Sequence, residues 1–201
     1  DKLMHRPEGM PRTSFRKIGV IGAGLMGAGI AYHCARLGIE TVLIDRDQAA
    51  ADKGKAYAST RLERDISKGR STQDKADAIL ARIHPGTDYA ALADVELVVE
   101  AVFEDRALKA EITRKLDAVL APQAVIASNT SALPISELAE AGAHPENFIG
   151  MHFFSPVERM PLVEIVRGRK TSPATLARAL DLAQAMKKTP IVVNDGPGFF
   201  T

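Results

Sequence analysis

A short apolar run that empties into three spaced glycines constrains this chain more than any other feature. Residues 17–45 read KIGVIGAGLMGAGIAYHCARLGIETVLID. Residues 18–21 have the apolar continuity of a buried parallel strand, and the strand leads directly into GAGLMG, whose glycines are Gly22, Gly24 and Gly27. In a strand–turn–helix unit these glycines have separate duties. Gly22 permits the tight turn, Gly24 keeps a Cβ out of the way of an approaching diphosphate, and Gly27 lets the helix lie close to the sheet. Met26, Ile30, Cys34 and Leu37 give that helix one apolar face, and Gly38 ends it. A second strand over residues 40–44 closes on Asp45, eighteen residues beyond Gly27. A helix N-terminus directs free N–H groups at an anion, and a carboxylate at Asp45 can accept hydrogen bonds from both hydroxyls of a ribose. The turn residues Gly22, Gly24, Leu25, Met26 and Gly27, with Asp45, therefore form a candidate dinucleotide site. Asp45 would repel a 2′-phosphate, which favours NAD over NADP. The competing reading is a plain βαβ turn without a ligand.

The pattern of elements downstream is that of a doubly wound α/β fold. Residues 47–82 are rich in Ala and charge, with Ala58, Leu62 and Ile66 at helical spacing, and Gly69 should break them into two helices. Such a pair, inserted between the second and third strands, reads either as a solvated helical hairpin or as an arm whose Arg61, Arg64 and Lys68 meet a ligand phosphate. Strands are expected at residues 83–87, 95–102 and 124–128, with a helix over 105–120 between the last two. Glu100 stands out, because a carboxylate in an apolar run belongs at a strand terminus or beside a ligand. The strand at 124–128 ends in SNTSALP, which places Ser128, Asn129, Thr130 and Ser131 at the carboxyl edge of the sheet, where ligands bind in this architecture. A helix over 134–141 follows, and a helix cap would use only one of the four. Two strands, 148–154 with His152 and 162–166 with Glu164, are joined by the turn SPVERMP, so antiparallel pairing would let the two side chains meet. Spacing alone leaves His152 open between a core histidine and a catalytic one. A helix over 173–187 and a strand at 191–194 complete the expected Rossmann-type, mostly parallel sheet with antiparallel strands at its C-terminal end.

Composition narrows the partners. The 26 basic and 25 acidic residues are interleaved, which gives no footprint for nucleic acid, and no stretch is long enough to span a bilayer. No metal site is expected. The single cysteine, Cys34, rules out an internal disulfide and fits a reducing compartment; it reads as a small buried residue. Residues 1–16 carry prolines and charges without an apolar core, and read as a linker or an expression remnant rather than a secretory signal.

Five stretches in fixed order, GAGLMGAGIA, VEAVFE, SNTSALPI, GMHFFSPVERMPLVEIVRG and TPIVVNDGPGFF, give residues 17–201 a resemblance to the NAD-binding domain of 3-hydroxyacyl-CoA dehydrogenases. IHPGTDYA, PISELA and RMPLVEIVRG are most similar to the multifunctional fatty-acid oxidation complex alpha subunit, in which this domain follows an enoyl-CoA hydratase domain. The resemblance implies oxidation of 3-hydroxyacyl-CoA to the 3-keto product in β-oxidation, with NAD as cofactor. Carried over residue by residue, it makes His152 the base, Glu164 its partner and Ser131 a hydrogen-bond partner of the substrate oxygen at C3. Glu104 and Lys109 then line the cofactor groove, Ser155 stands beside the nicotinamide where many members have Asn, and Lys68 approaches coenzyme A. Arg61 falls on no such position.

The family's active-site Asn would follow Thr201, and its C-terminal helical domain, which closes the cleft and mediates dimerisation, would lie beyond it. The chain is accordingly expected to bind cofactor yet be nearly inactive alone, to expose the PGFF stretch, and to belong, when complete, to a homo-oligomer or a β-oxidation complex. The implied location is cytoplasmic, or mitochondrial or peroxisomal in a eukaryote. The rival functions are a hydroxy-acid dehydrogenase of the same build without coenzyme A and a non-catalytic NAD-binding module.

Overall fold

The computed structural model describes residues 5–196 together with Phe199; the remainder of the PGFF stretch lies outside the described residues. In chain order the elements are β1 (Lys17–Ile21), α1 (Leu25–Arg36), β2 (Glu40–Ile44), α2 (Gln48–Ser67), α3 (Gln73–Ala81), β3 (Ile83–Gly86), β4 (Leu97–Glu100), α4 (Arg106–Asp117), β5 (Val125–Ser128), α5 (Ile135–Ala139), β6 (Phe148–Phe153), β7 (Leu162–Arg167), α6 (Pro173–Ala185) and β8 (Thr189–Asn194). The strands form one eight-stranded sheet in the order β3-β2-β1-β4-β5-β6-β7-β8. Every neighbouring pair is parallel except β6 and β7. This is the Rossmann-type sheet expected from the sequence, with the hairpin α2–α3 inserted between β2 and β3.

The strands are apolar on both faces because helices cover both. Ile18, Val20, Leu43, Leu97 and Val99 point into a core that includes Ile30 of α1, Leu62 of α2 and Leu180 of α6. Ile21, Val42, Ile44 and Val98 point the other way, toward Ile112 and Leu116 of α4 and Leu138 of α5. Side-chain caps set the helix starts: Asp47, Thr72, Asp105 and Ser172 each accept an amide of the first turn. Gly69, with φ +68°, follows the end of α2. Strand β4 is shorter than the apolar run 95–102 because the Val102 amide turns back to the Glu100 carboxylate, at 3.0 Å.

Residues 5–16 lie against α6. Arg6 donates through Nε and Nη2 to Asp181 at 2.8 and 3.0 Å, and the Thr13 amide donates to the same carboxylate at 2.9 Å. The Asp181 side chain is only 3% exposed. Arg12 reaches Gln184 at 3.0 Å, and Phe15 enters the core.

Candidate active site

The carboxyl ends of β1, β4, β5 and β6 lie along one edge of the sheet, and most of the residues singled out in the sequence lie there. Gly22 takes φ +97°, and a Cβ on it would stand 2.6 Å from the Ala101 carbonyl oxygen; a Cβ on Gly27 would stand 1.7 Å from the Gly22 carbonyl oxygen. Only glycine can make that turn. At Gly24, which caps α1, a Cβ would meet nothing within 4 Å, so the outer side of the turn is open beside a helix N-terminus. Asp45 is fastened next to it, Oδ2 accepting the Ala23 amide at 2.7 Å and Oδ1 the Arg46 amide at 2.6 Å. An ionised carboxylate has about four acceptor directions, so capacity remains for ribose hydroxyls. The cradle fits a dinucleotide. Leu25, the first residue of α1, and Phe103, on the loop leaving β4, are the large apolar side chains left exposed among the described residues, Phe103 at 84%.

Beneath the ends of β4 and β5 lies a buried ionic group. Glu100 accepts from Lys109 Nζ at 2.7 Å through Oε2 and from the Ser128 hydroxyl at 2.8 Å through Oε1. The side chains of Lys109 and Glu100 are 2% and 3% exposed. Lys109 thus sits under the groove and reaches its surface through Glu104, whose Oε2 is 3.7 Å from Nζ. Glu104 gathers the SNTS loop: it accepts from the Thr130 hydroxyl at 2.8 Å, the Ser131 amide at 2.7 Å and the Ser131 hydroxyl at 3.2 Å. Burial works to raise its carboxyl, but these donors and the Lys109 charge hold it below its ordinary value.

His152 and Glu164 are direct partners in the antiparallel ladder. His152 Nδ1 is 3.0 Å from Glu164 Oε1; the carboxylate is fully buried, whereas the imidazole is 14% exposed. A carboxylate there accepts from Nδ1–H and leaves Nε2 as the nitrogen with a lone pair. Asn129 Oδ1 accepts the Phe153 amide at 2.9 Å, which extends the β5–β6 pairing past its last ladder rung and steadies the strand end beside His152. The Phe154 ring lies 4.6 Å from the imidazole and the Phe199 ring 6.1 Å. Ser155 is exposed on the loop that follows.

Lys68 stands apart from this cluster. It caps the far end of α2, and its side chain makes no hydrogen bond or ion pair among the described residues. Arg61, two turns earlier on the same helix, is bound to Glu158 at 2.6 Å. Sequence reasoning passed over Glu158, Lys188 and Asp195. Asp195 accepts the Ile135 and Ser136 amides at 2.9 and 2.7 Å and so anchors the far side of the Ser131 loop. Its place directly after an apolar strand was a usable signal; Glu158 and Lys188 carried none. Among the described residues no group of three or more His, Cys, Asp or Glu could hold a metal ion, and no helix is long and apolar enough to cross a membrane.

Comparison with known proteins agrees with this fold. Residues 17–196 match the model of the family described as 3-hydroxyacyl-CoA dehydrogenase, NAD binding domain. Among solved structures, the (S)-3-hydroxybutyryl-CoA dehydrogenase PaaH1 from Ralstonia eutropha superposes with a TM-score of 0.90 at 41% identity, over 94% of this chain and 66% of that one. FadB2 of M. tuberculosis gives a TM-score of 0.90 at 40% identity, over 94% and 67%. The 3-hydroxybutyryl-CoA dehydrogenase of Escherichia coli K12 gives 0.88 at 33% identity, over 92% and 39%. The chain therefore spans about two thirds of the first two and well under half of the third.

Proposed function

Because the chain belongs to the 3-hydroxyacyl-CoA dehydrogenase family and spans its NAD-binding domain, we propose that it supplies the cofactor site and the His152–Glu164 pair for NAD-dependent oxidation of a 3-hydroxyacyl-CoA to the 3-ketoacyl-CoA in β-oxidation. The observation that carries this reading is the His152 Nδ1–Glu164 Oε1 contact of 3.0 Å at the same carboxyl edge of the sheet as the glycine-rich turn. When bound, NAD supplies the hydride acceptor.

The residues do the rest. Nε2 of His152 takes the proton of the substrate's C3 hydroxyl as hydride leaves the same carbon. Glu164 holds the ring in the tautomer that leaves Nε2 free, and its buried charge favours the imidazolium that results. The C3 hydroxyl has one proton and gives it to Nε2, so its oxygen accepts from Ser131, whose hydroxyl donates to Glu104 in the free site and must rotate from that carboxylate to the substrate. The ketone that forms accepts the same hydrogen bond, so the Glu104 contact is one that substrate binding has to exchange. Glu104 also pins the Ser131 amide, and fixing the loop in this way restricts where C3 can lie. The motifs resembling multifunctional fatty-acid oxidation subunits support reading the chain as part of a larger enzyme, whose helical domain would close the cleft over these residues.

The test is NADH oxidation with acetoacetyl-CoA, measured for this chain beside a version extended by the helical domain. The extended protein should turn over and the isolated chain should bind NADH but be at least about a hundredfold slower, the usual loss for one missing positioned donor. Comparable activity per site would show that residues 17–201 suffice. Turnover of a hydroxy acid without coenzyme A, and none of acetoacetyl-CoA, would overturn the substrate assignment.

A further inference from the structure

The loop that joins β6 to β7, residues 154–161, carries Ser155 and turns the chain back from His152 to Glu164. It contributes no rung to the ladder, which ends at the Phe153–Val163 pair. Something other than sheet pairing must therefore fix it. Two elements do so. From α2, Arg61 Nε donates to Glu158 Oε1 at 2.6 Å and the Tyr57 hydroxyl donates to Oε2 at 3.1 Å. Tyr57 and Arg61 are one helical turn apart, and the guanidinium carbon lies 3.3 Å from the Tyr57 ring centroid. From the entrance to β8, the buried Lys188 ammonium donates to the carbonyls on either side of Glu158: Val157, and Met160 at 2.6 Å. Val157 itself is buried against α1, where a Cβ on Gly29 would come within 3.2 Å of it.

An exposed ion pair would be worth little here. The Glu158 carboxylate, however, is 9% exposed and has both oxygens engaged, and the helix that holds it is the one that carries Lys68. We propose that Arg61 and Glu158 are positioning residues for the reaction: a latch that ties the helical arm to the loop after His152 and so sets where Ser155 and the Phe154 ring stand against the imidazole. The proposal rests on the dehydrogenase reading above. Neither residue touches reacting atoms or hydrogen-bonds the glycine-rich turn and Asp45, the cradle for ribose and diphosphate, and Ser155 meets only the nicotinamide end, so the latch governs turnover while NADH affinity, set mainly by that cradle, changes little.

The experiment uses the full-length enzyme with NADH and acetoacetyl-CoA, and rates are expressed per NADH-binding site so that a smaller folded fraction does not count as a slower enzyme. Arg61→Gln and Glu158→Gln should each lower kcat about five- to tenfold, since small misplacements of catalytic groups are costly. NADH affinity should stay within about twofold, and the double variant should be no slower than the worse single one, because both break the same contact. Arg61→Lys, which keeps the charge, should recover at least half of the loss on a logarithmic scale. Single variants within about twofold of wild type, losses that multiply in the double variant, or NADH affinity falling in step with kcat would overturn the latch. If Arg61→Gln does not fold, Glu158→Gln, which keeps volume and shape, decides alone by the same criteria. A wild-type enzyme inactive toward acetoacetyl-CoA would overturn the dehydrogenase reading instead, an outcome that no latch variant can mimic.

Discussion

Asp45 accepts the backbone amide of Ala23 at 2.7 Å, so the acid at the end of β2 and the glycine-rich turn after β1 are one rigid unit. On the proposed reading, ribose and diphosphate would be recognised by groups that cannot move independently. The chain should bind NADH at least about tenfold more tightly than NADPH, because a 2′-phosphate would be repelled by the carboxylate and would forfeit the ribose bond. Arg46 is the adjacent cation, but it is exposed and its Nε lies 3.4 Å from Asp47. Fluorescence titration of both cofactors checks this; equal or tighter NADPH binding would refute it.

His152→Gln in the extended enzyme should reduce turnover by about 10²–10⁴, the usual contribution of a general base, with NADH affinity little changed. Nδ1 already faces Glu164, so the loss is of the outward nitrogen rather than of a cofactor contact. A fall of less than about tenfold would assign the base to another group, with Glu104 next in line.

The Lys109–Glu100 pair should be the most fragile point under the site. Lys109→Ala leaves a carboxylate at the end of β4 with no counter-charge closer than solvent can supply, and breaking a buried pair from one side costs about 3–5 kcal/mol. Lys109→Met combined with Glu100→Gln removes both charges and should recover most of that. Urea unfolding of both variants measures it, and a single-variant loss below about 1 kcal/mol would mean that the pair is less isolated than its burial indicates.

Acid should weaken the site's scaffold in a defined direction. Burial acts to raise the Glu158 carboxyl, but Arg61, its own backbone amide and Tyr57 together hold it below its ordinary value, and Glu104 is held low in the same sense. A folded-state value below the unfolded one gives stability that is complete above the unfolded value and is lost as pH falls through the folded value. The unfolding midpoint should therefore drop as pH falls through and below the ordinary carboxylate range, and less steeply in a Glu104→Gln/Glu158→Gln double variant. Parallel slopes for the two proteins would show that other carboxylates govern the acid limb.

What the sequence makes legible is what depends on neighbours along the chain. The glycine turn, the strand that feeds it and Asp45 follow from local chemistry, and the His152–Glu164 pairing follows from two strands joined by a short turn. Glu100 was conspicuous for the right reason, a charge in an apolar run, yet its partner was out of view: a lysine in a charged amphipathic helix ordinarily faces water, and nothing local marks Lys109 as the buried one. Arg61 is a sharper case. Its contact with Glu158 spans 97 residues, so along the chain it is one more cation on a wet helix face. The same holds at the N-terminus, where Arg6 and Asp181 are 175 residues apart and the polar, proline-bearing segment between Arg6 and Phe15 shows no sign of an attachment.

That attachment gives the domain a load path. Tension applied to the chain ahead of Arg6 meets the Arg6–Asp181 pair and the Thr13 amide first, and is delivered to α6, an outer helix. The strap must peel from α6 before any pull reaches β1, a central strand that carries the cofactor turn at its other end. Whatever drags on the N-terminal side can therefore strip a surface segment while the sheet and its glycine-rich turn remain mechanically undisturbed.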